Sequence, residues 1–318
     1  MDITFYKERP MVLVVASVGM SFLVKAFRRF SNASEAFVYP WAMPHVLHRI
    51  PGRLGGGLAR ASGLILNPKH SLHYYPRVPP EKVDLVFVSD PVVCNFDLRP
   101  FRNAVKAYWS QDCIYESTLR TQLHGMDIAQ YDVVFTAHED CRKHFHELGL
   151  KVELLPFAYD PDVCSPSPTS VTPKFDVTFV GTLRQRRLEL LEHVLGGTSL
   201  KYFVGNAYDH DMASIYAMSK VVLNISERGE LNWRIFEALG CESFLLTNDS
   251  GEVSNVFTPG RHLVVWKDAE DLRRLLEYYL AEENERVRIA HEGHVEVARN
   301  HTIYNRAEAV LRATGLLH

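Results

Sequence analysis

The residues best suited to chemistry lie in two short stretches of the second half of the sequence. The first is Gly181-Thr182-Leu183-Arg184-Gln185-Arg186-Arg187, between an apolar run and a helical pattern. A glycine between a strand and a helix lets the backbone approach a phosphate. The helix N-terminus adds N–H donors and partial positive charge. Guanidinium groups pair bidentately with phosphate oxygens, so the neighbouring arginines suit a diphosphate. The same residues also read as a surface turn with a solvated basic helix start. Basic residues there oppose the helix dipole, and a local conflict of that kind is what a functional site produces.

The second stretch is Asn232-Trp233-Arg234-Ile235-Phe236-Glu237-Ala238-Leu239-Gly240. Ile235, Phe236 and Leu239 share a core-facing helical stripe. Glu237 projects beside the helix start, where a carboxylate can accept two hydrogen bonds from a ribose diol. An amphipathic helix with one exposed glutamate fits the same letters.

Weaker candidates lie elsewhere. Asp112 follows the aromatic run ending Tyr108-Trp109 and reads by itself as a helix cap; Asp90 before Pro91 is a similar but weaker candidate. The pairs His45/His48, His70/His73 and His291/His294 are spaced i, i+3, but no third ligand stands in a metal-site pattern, so no metal is expected. Trp41, Tyr74 and Tyr75 are loop aromatics able to stack on a sugar or base. Asp160-Pro161-Asp162 and Asp209-His210-Asp211 both spell DxD; the first reads as a turn.

Elements able to position these groups alternate along the chain. Met11–Ala16, Val83–Val88, Ala104–Trp109, Asp132–Thr136 and Val152–Leu155 read as buried strands. Ser21–Phe30 and His138–Leu148 read as helices. Residues 40–80 hold many prolines and Gly55-Gly56-Gly57, and are expected as either a long irregular insertion or a mobile active-site loop region. A proline-rich stretch, Phe157–Lys174, marks a domain boundary. Strands then recur at Phe175–Val180, Leu200–Val204, Val221–Ile225, Ser243–Thr247 and His262–Trp266, with helices between and after them. Continuous apolar strands separated by helices mean parallel sheets covered on both faces. The expected domains are 1–160 and 161–318, two Rossmann-like doubly wound α/β units facing a cleft, with the last helix crossing back. Ligands in such sheets bind beyond the carboxyl ends of the strands.

With 318 residues, 47% apolar, 23% charged and a net charge of −3, the chain has ordinary globular composition without bulk nucleic-acid affinity. The five cysteines are odd in number and widely spaced, which fits reduced thiols. Lys25, Arg28 and Arg29 follow the first apolar run, the reverse of an export signal. No run approaches the roughly 20 apolar residues of a membrane span. A cytoplasmic location is expected.

The C-terminal half resembles the group-1 GT-B glycosyltransferases, in the branch similar to the spore-maturation protein CgeB. The resemblance is carried by YDVVFTAHED, VELLPFAYDP, FDVTFVGTLRQRR, SKVVLNIS, NWRIFEALGC, FLLTND and HTIYNRAEAVL, in order from Tyr131 to Leu311. It implies a GT-B architecture and a nucleotide-sugar co-substrate (UDP-, GDP- or dTDP-linked), with no other cofactor. It implies donor binding at Gly181, Thr182, Arg184, Arg186, Gly205, Asn206, Asn232, Arg234 and Glu237. Arg187 stands where related enzymes carry a diphosphate-binding Lys, and Asp112 matches an acid facing the cleft; both are expected to be catalytic. Where many relatives have two glutamates with seven residues between them, this chain has Gly229 at the first position, with Glu230 one place out of register. His301 matches a motif where packing is the expected role.

The expectation is a retaining, metal-independent transfer of a sugar to a hydroxyl of unidentified acceptor. A non-catalytic GT-B-like scaffold and a GT-B epimerase remain open at this point. A pyridoxal-dependent phosphorylase would need a Schiff-base lysine, and Lys220 is the lysine inside the core motifs.

Overall fold

The computed structural model describes residues 9–16, 21–38, 73–74, 78–89, 98–125, 127–166, 172–248 and 251–318. Asp90, Trp41, Tyr75, His45, His48, His70 and most of the 40–80 insertion lie outside them. The chain divides into two compact units, residues 1–155 with 306–318, and residues 156–305.

The first unit is built on a seven-stranded sheet. Its elements are β1 (Met11–Ala16), α1 (Ser21–Arg28), β2 (Asn32–Val38), β3 (His73–Tyr74), β4 (Leu85–Ser89), β5 (Val105–Ser110), α2 (Glu116–Arg120), β6 (Val133–Thr136), α3 (Arg142–His146) and β7 (Val152–Leu154). The strand order is β3-β2-β1-β4-β5-β6-β7, parallel throughout except for the antiparallel β2–β3 pair. Val12 to Ala16 and Leu85 to Ser89 are buried residue by residue, as strands covered on both faces must be.

Strand β2 is not anticipated by the sequence, because Asn-Ala-Ser-Glu-Ala lacks an apolar run. It forms because β1 offers it a full parallel register, Met11↔Asn32 through Ala16↔Phe37. The cysteine expectation also needs correcting: Cys113 and Cys141 form a disulfide, with Cα atoms 6.1 Å apart. Strands β5 and β6 pair through Ser110↔Thr136, so the loops leaving their carboxyl ends run side by side. Sequence spacing does not show that neighbourhood. Cys164 and Cys241 are free and buried.

The second unit contains β8 (Phe175–Val180), α4 (Gln185–Leu195), β9 (Tyr202–Gly205), α5 (Asp209–Ala217), β10 (Ser219–Asn224), α6 (Trp233–Gly240), β11 (Leu245–Asn248), α7 (Val253–Val256), β12 (Val264–Trp266), α8 (Ala269–Ala281) and α9 (Glu283–Asn300). Helix α10 (Ile303–Ala313) starts here and continues into the first unit. All strands are parallel, in the order β12-β11-β10-β8-β9. Val177, Phe179, Leu223 and Leu246 form one core with Leu191 and Val194 of α4 and Leu272 of α8. Among the described residues no helix is long and apolar enough to cross a membrane.

The opening of the stretch expected as a linker is packed rather than open. Phe157 and Tyr159 are buried, and the Phe157 ring sits 4.9 Å from that of Trp233. His301 packs between Phe236 and Phe257, at ring distances of 5.4 and 5.6 Å. A Cβ added at Gly240 would stand 2.3 Å from the Tyr159 ring. Gly240→Ala should therefore cost about 1–3 kcal/mol by overpacking. Gly251→Ala, where the added methyl meets open space, should stay within about 0.5 kcal/mol. Urea denaturation of both variants checks the contrast; equal midpoints would show that Tyr159 does not constrain α6.

Candidate active site

The chain enters the second sheet at β8, crosses through α4 to β9 at one edge, then returns through α5 to β10 on the other side of β8. The loops that leave the carboxyl ends of β8 and β10 therefore diverge. A crevice opens there, the place where doubly wound sheets take ligands.

Arg187 spans this point. Its Nη1 donates to Thr182 O at 2.9 Å, on the loop after β8. Its Nε donates to Ile225 O at 2.8 Å, on the loop after β10, and lies 3.1 Å from Glu227 Oε1. Its guanidinium also lies 5.7 Å from the Phe179 ring centroid. Arg186 adds a second tie, Nη1 to Glu227 O at 3.1 Å. Arg184 is the extended residue before α4 and supplies no side-chain cap. The first N–H groups of α4 thus lack a capping side chain, which leaves them to a ligand or water. Thr182, Arg184 and Arg186 are exposed, and Arg187 is half-buried.

Glycine closes both β8 and its edge neighbour β9. Gly181 N donates to Gly205 O at 2.9 Å, closing the β8–β9 ladder. Phe179 and Phe203 sit two residues earlier, and an added Cβ would come 3.1 Å and 3.3 Å from their rings. The repeated Phe-Val-Gly ending keeps the strand ends bare of side chain where the crevice opens.

The far wall is helix α6 and the turn after β9. Arg234 Nη1 pairs with Glu237 Oε2 at 3.0 Å and also contacts Met212 Sδ. Its Nη2 donates to Ala207 O at 3.2 Å, and its guanidinium stands 5.6 Å from the Tyr208 ring. Burial raises the Glu237 carboxyl above the usual carboxylate range, against the pull of Arg234. Burial opposes the Arg234 charge, but Glu237 and neighbouring groups overcome it and raise its pKa. Tyr208 is 65% exposed, and Asp209 turns the chain into α5 with a φ of 48°. Asn206 is exposed beside them; Asn232 is the extended residue before α6.

The loop between β10 and α6 is fixed by groups that sequence reading missed. Asn248 Oδ1 accepts from Ser226 N at 2.8 Å and Ser226 Oγ at 3.0 Å, and its Nδ2 donates to Ser226 O at 3.2 Å. Asn224 Nδ2 donates to Thr247 Oγ1 at 2.9 Å. The signal was present as polar residues closing buried runs, Val-Val-Leu-Asn and Leu-Leu-Thr-Asn. Glu230 folds onto its own loop, accepting from Glu227 N at 3.2 Å and Arg228 N at 2.7 Å. Gly229 between them has a φ of 77°, a conformation a glutamate side chain would strain. The missing first glutamate thus has a backbone cause.

The structure brings Gly181, Thr182, Arg184, Arg186, Arg187 and Gly205 to one set of strand ends, with Arg234 and Glu237 on the next wall. Asp112 lies in the first unit, exposed in the loop after β5. Lys220 stands at the amino end of β10, paired with Asp176 at 2.7 Å, the wrong end of the sheet for a Schiff base. His291 and His294 bond Glu242 and Leu239 O. Asp162 N donates to Asp160 Oδ1 at 3.0 Å, the turn expected there. Among the described residues no three His, Cys, Asp or Glu side chains are grouped for a metal ion.

Asn248→Ala should loosen the loop that carries Ile225 and Glu227. Loss of this part-buried clasp of three hydrogen bonds should cost about 1–3 kcal/mol. Amide exchange at Ser226 should quicken well beyond that of the β8 core; unchanged protection there would show the clasp to be dispensable.

Residues 170–312 match the family described as glycosyl transferase-like. No curated protein sequence matches the chain. Among solved structures, HepE of Anabaena, in complex with UDP and glucose, superposes with a TM-score of 0.65 at 13% identity, over 97% of this chain and 100% of that one. Sucrose-phosphate synthase of Thermosynechococcus elongatus gives 0.63 at 11%, over 96% and 98%. A glycosyltransferase of Rickettsia africae gives 0.61 at 12%, over 97% and 98%. The chain has the GT-B fold, and its residues 170–312 are similar to the glycosyl transferase-like family.

Proposed function

We propose that this enzyme moves a sugar from a nucleotide-diphosphate donor to a hydroxyl acceptor, with retention at the anomeric carbon and without a metal ion, and that it belongs to the CgeB-like branch. The observation that carries the reading is Arg187 at the switch point, beside Gly181, Thr182 and the uncapped start of α4. The complex of HepE with UDP and glucose supports a UDP-linked donor; GDP and dTDP are the other members of the class.

In the reaction the bond from the anomeric carbon to the β-phosphate oxygen breaks, and its electron pair stays on the diphosphate. The acceptor oxygen bonds the anomeric carbon on the same face, and the acceptor's proton passes to the leaving phosphate oxygen. The growing charge meets the Arg187 guanidinium, the α4 N–H groups and, at the rim, Arg184 and Arg186. Fixed donors of this kind stabilise charge without reorganising. Glu237 receives the ribose diol and Arg234 holds its carboxylate in place. Gly205 and Asn206 border the base. Asp112 orients the acceptor hydroxyl or the donor sugar, from the unit that takes the acceptor. The acceptor is a small molecule, glycan, protein or modified nucleic acid, and the reaction runs in the cytoplasm.

Arg187→Ala should lower kcat about a hundredfold or more, and Arg187→Lys should restore part of it by restoring the charge. Activity should survive excess EDTA. Complete loss with EDTA, reversed by Mg²⁺ or Mn²⁺, would overturn the metal-free assignment. Nucleotide-sugar binding with neither transfer nor hydrolysis would favour a scaffold.

Glu237→Ala should weaken nucleotide binding by about ten- to a hundredfold, the scale of a lost charge-assisted pair of hydrogen bonds. The ionised carboxylate is the acceptor, and burial raises its pKa. Affinity should therefore fall, as pH drops, from a higher pH than the ordinary value of about 4.3. Glu237→Gln should remove that step. Calorimetry across pH tests it, and a wild-type profile identical to that of Glu237→Gln would sink the ribose role.

A further inference from the structure

The amino ends of β1 and β2, away from the strand ends that lead to Asp112, border a hollow of about 370 Å³. Arg9, Arg28, Asn32 and Ser34 line it, and Met11 and Val78 add apolar surface. Both guanidinium groups are tethered by the main chain. Arg9 Nη2 donates to Arg28 O at 2.7 Å, and Arg28 Nε donates to Ala33 O at 3.2 Å. Asn32 Nδ2 donates to Arg9 O at 3.2 Å and fixes the entry to β1.

Capping the end of α1 explains one N–H of Arg9. It does not explain two cations on one small hollow. Elsewhere in the chain several exposed arginines pair with carboxylates, as in Arg120–Glu116, Arg142–Glu139, Arg261–Glu292 and Arg312–Glu308. Among the described residues Arg9 and Arg28 have no such partner. Asp84 reaches this end of β1, but its carboxylate accepts the Met11 N–H at 2.7 Å. Two like charges held together by backbone bonds repel each other until an anion joins them. Each guanidinium keeps most of its five N–H donors, and tethering lowers the entropy lost on binding.

We infer that this hollow binds a phosphate group, carried either by a soluble phosphomonoester or by an anionic lipid headgroup. The inference is independent of the donor site. Guanidinium forks match phosphate oxygens bidentately, and Asn32 and Ser34 supply neutral polar contacts at the same rim.

The test uses the full-length protein and inorganic phosphate, with UDP added in excess to occupy the second unit. Phosphate should bind saturably and slow amide exchange in residues 31–34, which localises it whether or not UDP binds. The double variant Arg9→Gln, Arg28→Gln should bind phosphate at least about tenfold more weakly, the scale of one lost charge-assisted hydrogen bond. Ser34→Asp, which places a negative charge in the hollow and leaves both tethers in place, should abolish the protection even if the double variant misfolds. Vesicles of phosphatidylcholine with and without phosphatidic acid separate the two sources. Arginine-dependent sedimentation with phosphatidic acid, competed by phosphate, assigns the lipid; phosphate binding without sedimentation assigns a soluble ester. No protection by phosphate in the wild type, or equal protection in Ser34→Asp, overturns the inference.

Discussion

A parallel sheet that reverses its winding direction must leave two loops diverging at its centre, and in the second unit a single guanidinium bridges them. Arg187 reaches both Thr182 O and Ile225 O, so the distance between the β8 and β10 loops is set by one rigid, planar group. Lysine could supply the charge but not that fork. Glu227 beside it balances part of the charge and keeps the cation in the crevice when no anion is there. The geometry of the phosphate-binding end therefore depends on an interaction that also tunes its electrostatics.

Beneath this bridge the strand ends are polar by necessity. Each strand of a buried sheet ends where its backbone groups lose their ladder partners, and those groups must be satisfied. Asn248 does this for the loop after β10, accepting from Ser226 N and donating to Ser226 O, while Asn224 and Thr247 pair side chain to side chain beside it. Glu230 does it for the next turn, at a Gly229 whose φ of 77° makes the turn possible. Three short networks thus hold a loop that has no secondary structure of its own. Rigid support of this kind is what a site acting by preorganised charge requires.

The second unit was well marked in the sequence because its strands are continuous apolar runs ended by Gly or Asn, the strongest local signal a parallel sheet gives. The first unit was marked only where strands are central. Edge-side β2 has a mixed sequence and exists through pairing with β1, a non-local fact. The Cys113–Cys141 bond was hidden for the same reason: it reports that two loops are neighbours, not that two letters are spaced. Glu237 and Arg187 were found because a motif surrounds each. Asn248 and Glu227 were missed because each acts through main-chain atoms or a partner distant in sequence. Phe157 and Tyr159 show a further limit, since prolines nearby signalled a linker while the aromatic side chains anchored the chain to α6.

The pairing of Arg234 with Glu237 needs its own explanation, because a half-buried ion pair is weak support for stability once desolvation is counted. Its geometry points to orientation. The guanidinium is fixed on its other side by Ala207 O, Met212 and the Tyr208 ring, so the Glu237 carboxylate is held from α6 toward the turn after β9. Replacing the pair by apolar side chains would remove the desolvation cost and also the fixed acceptor. Burial raises the carboxyl pKa, and the arginine is what keeps the charged form accessible there. The pair is thus better understood as a means of holding an ionised acceptor in a partly dry place, where a hydrogen bond from a ligand hydroxyl gains more than it would in water.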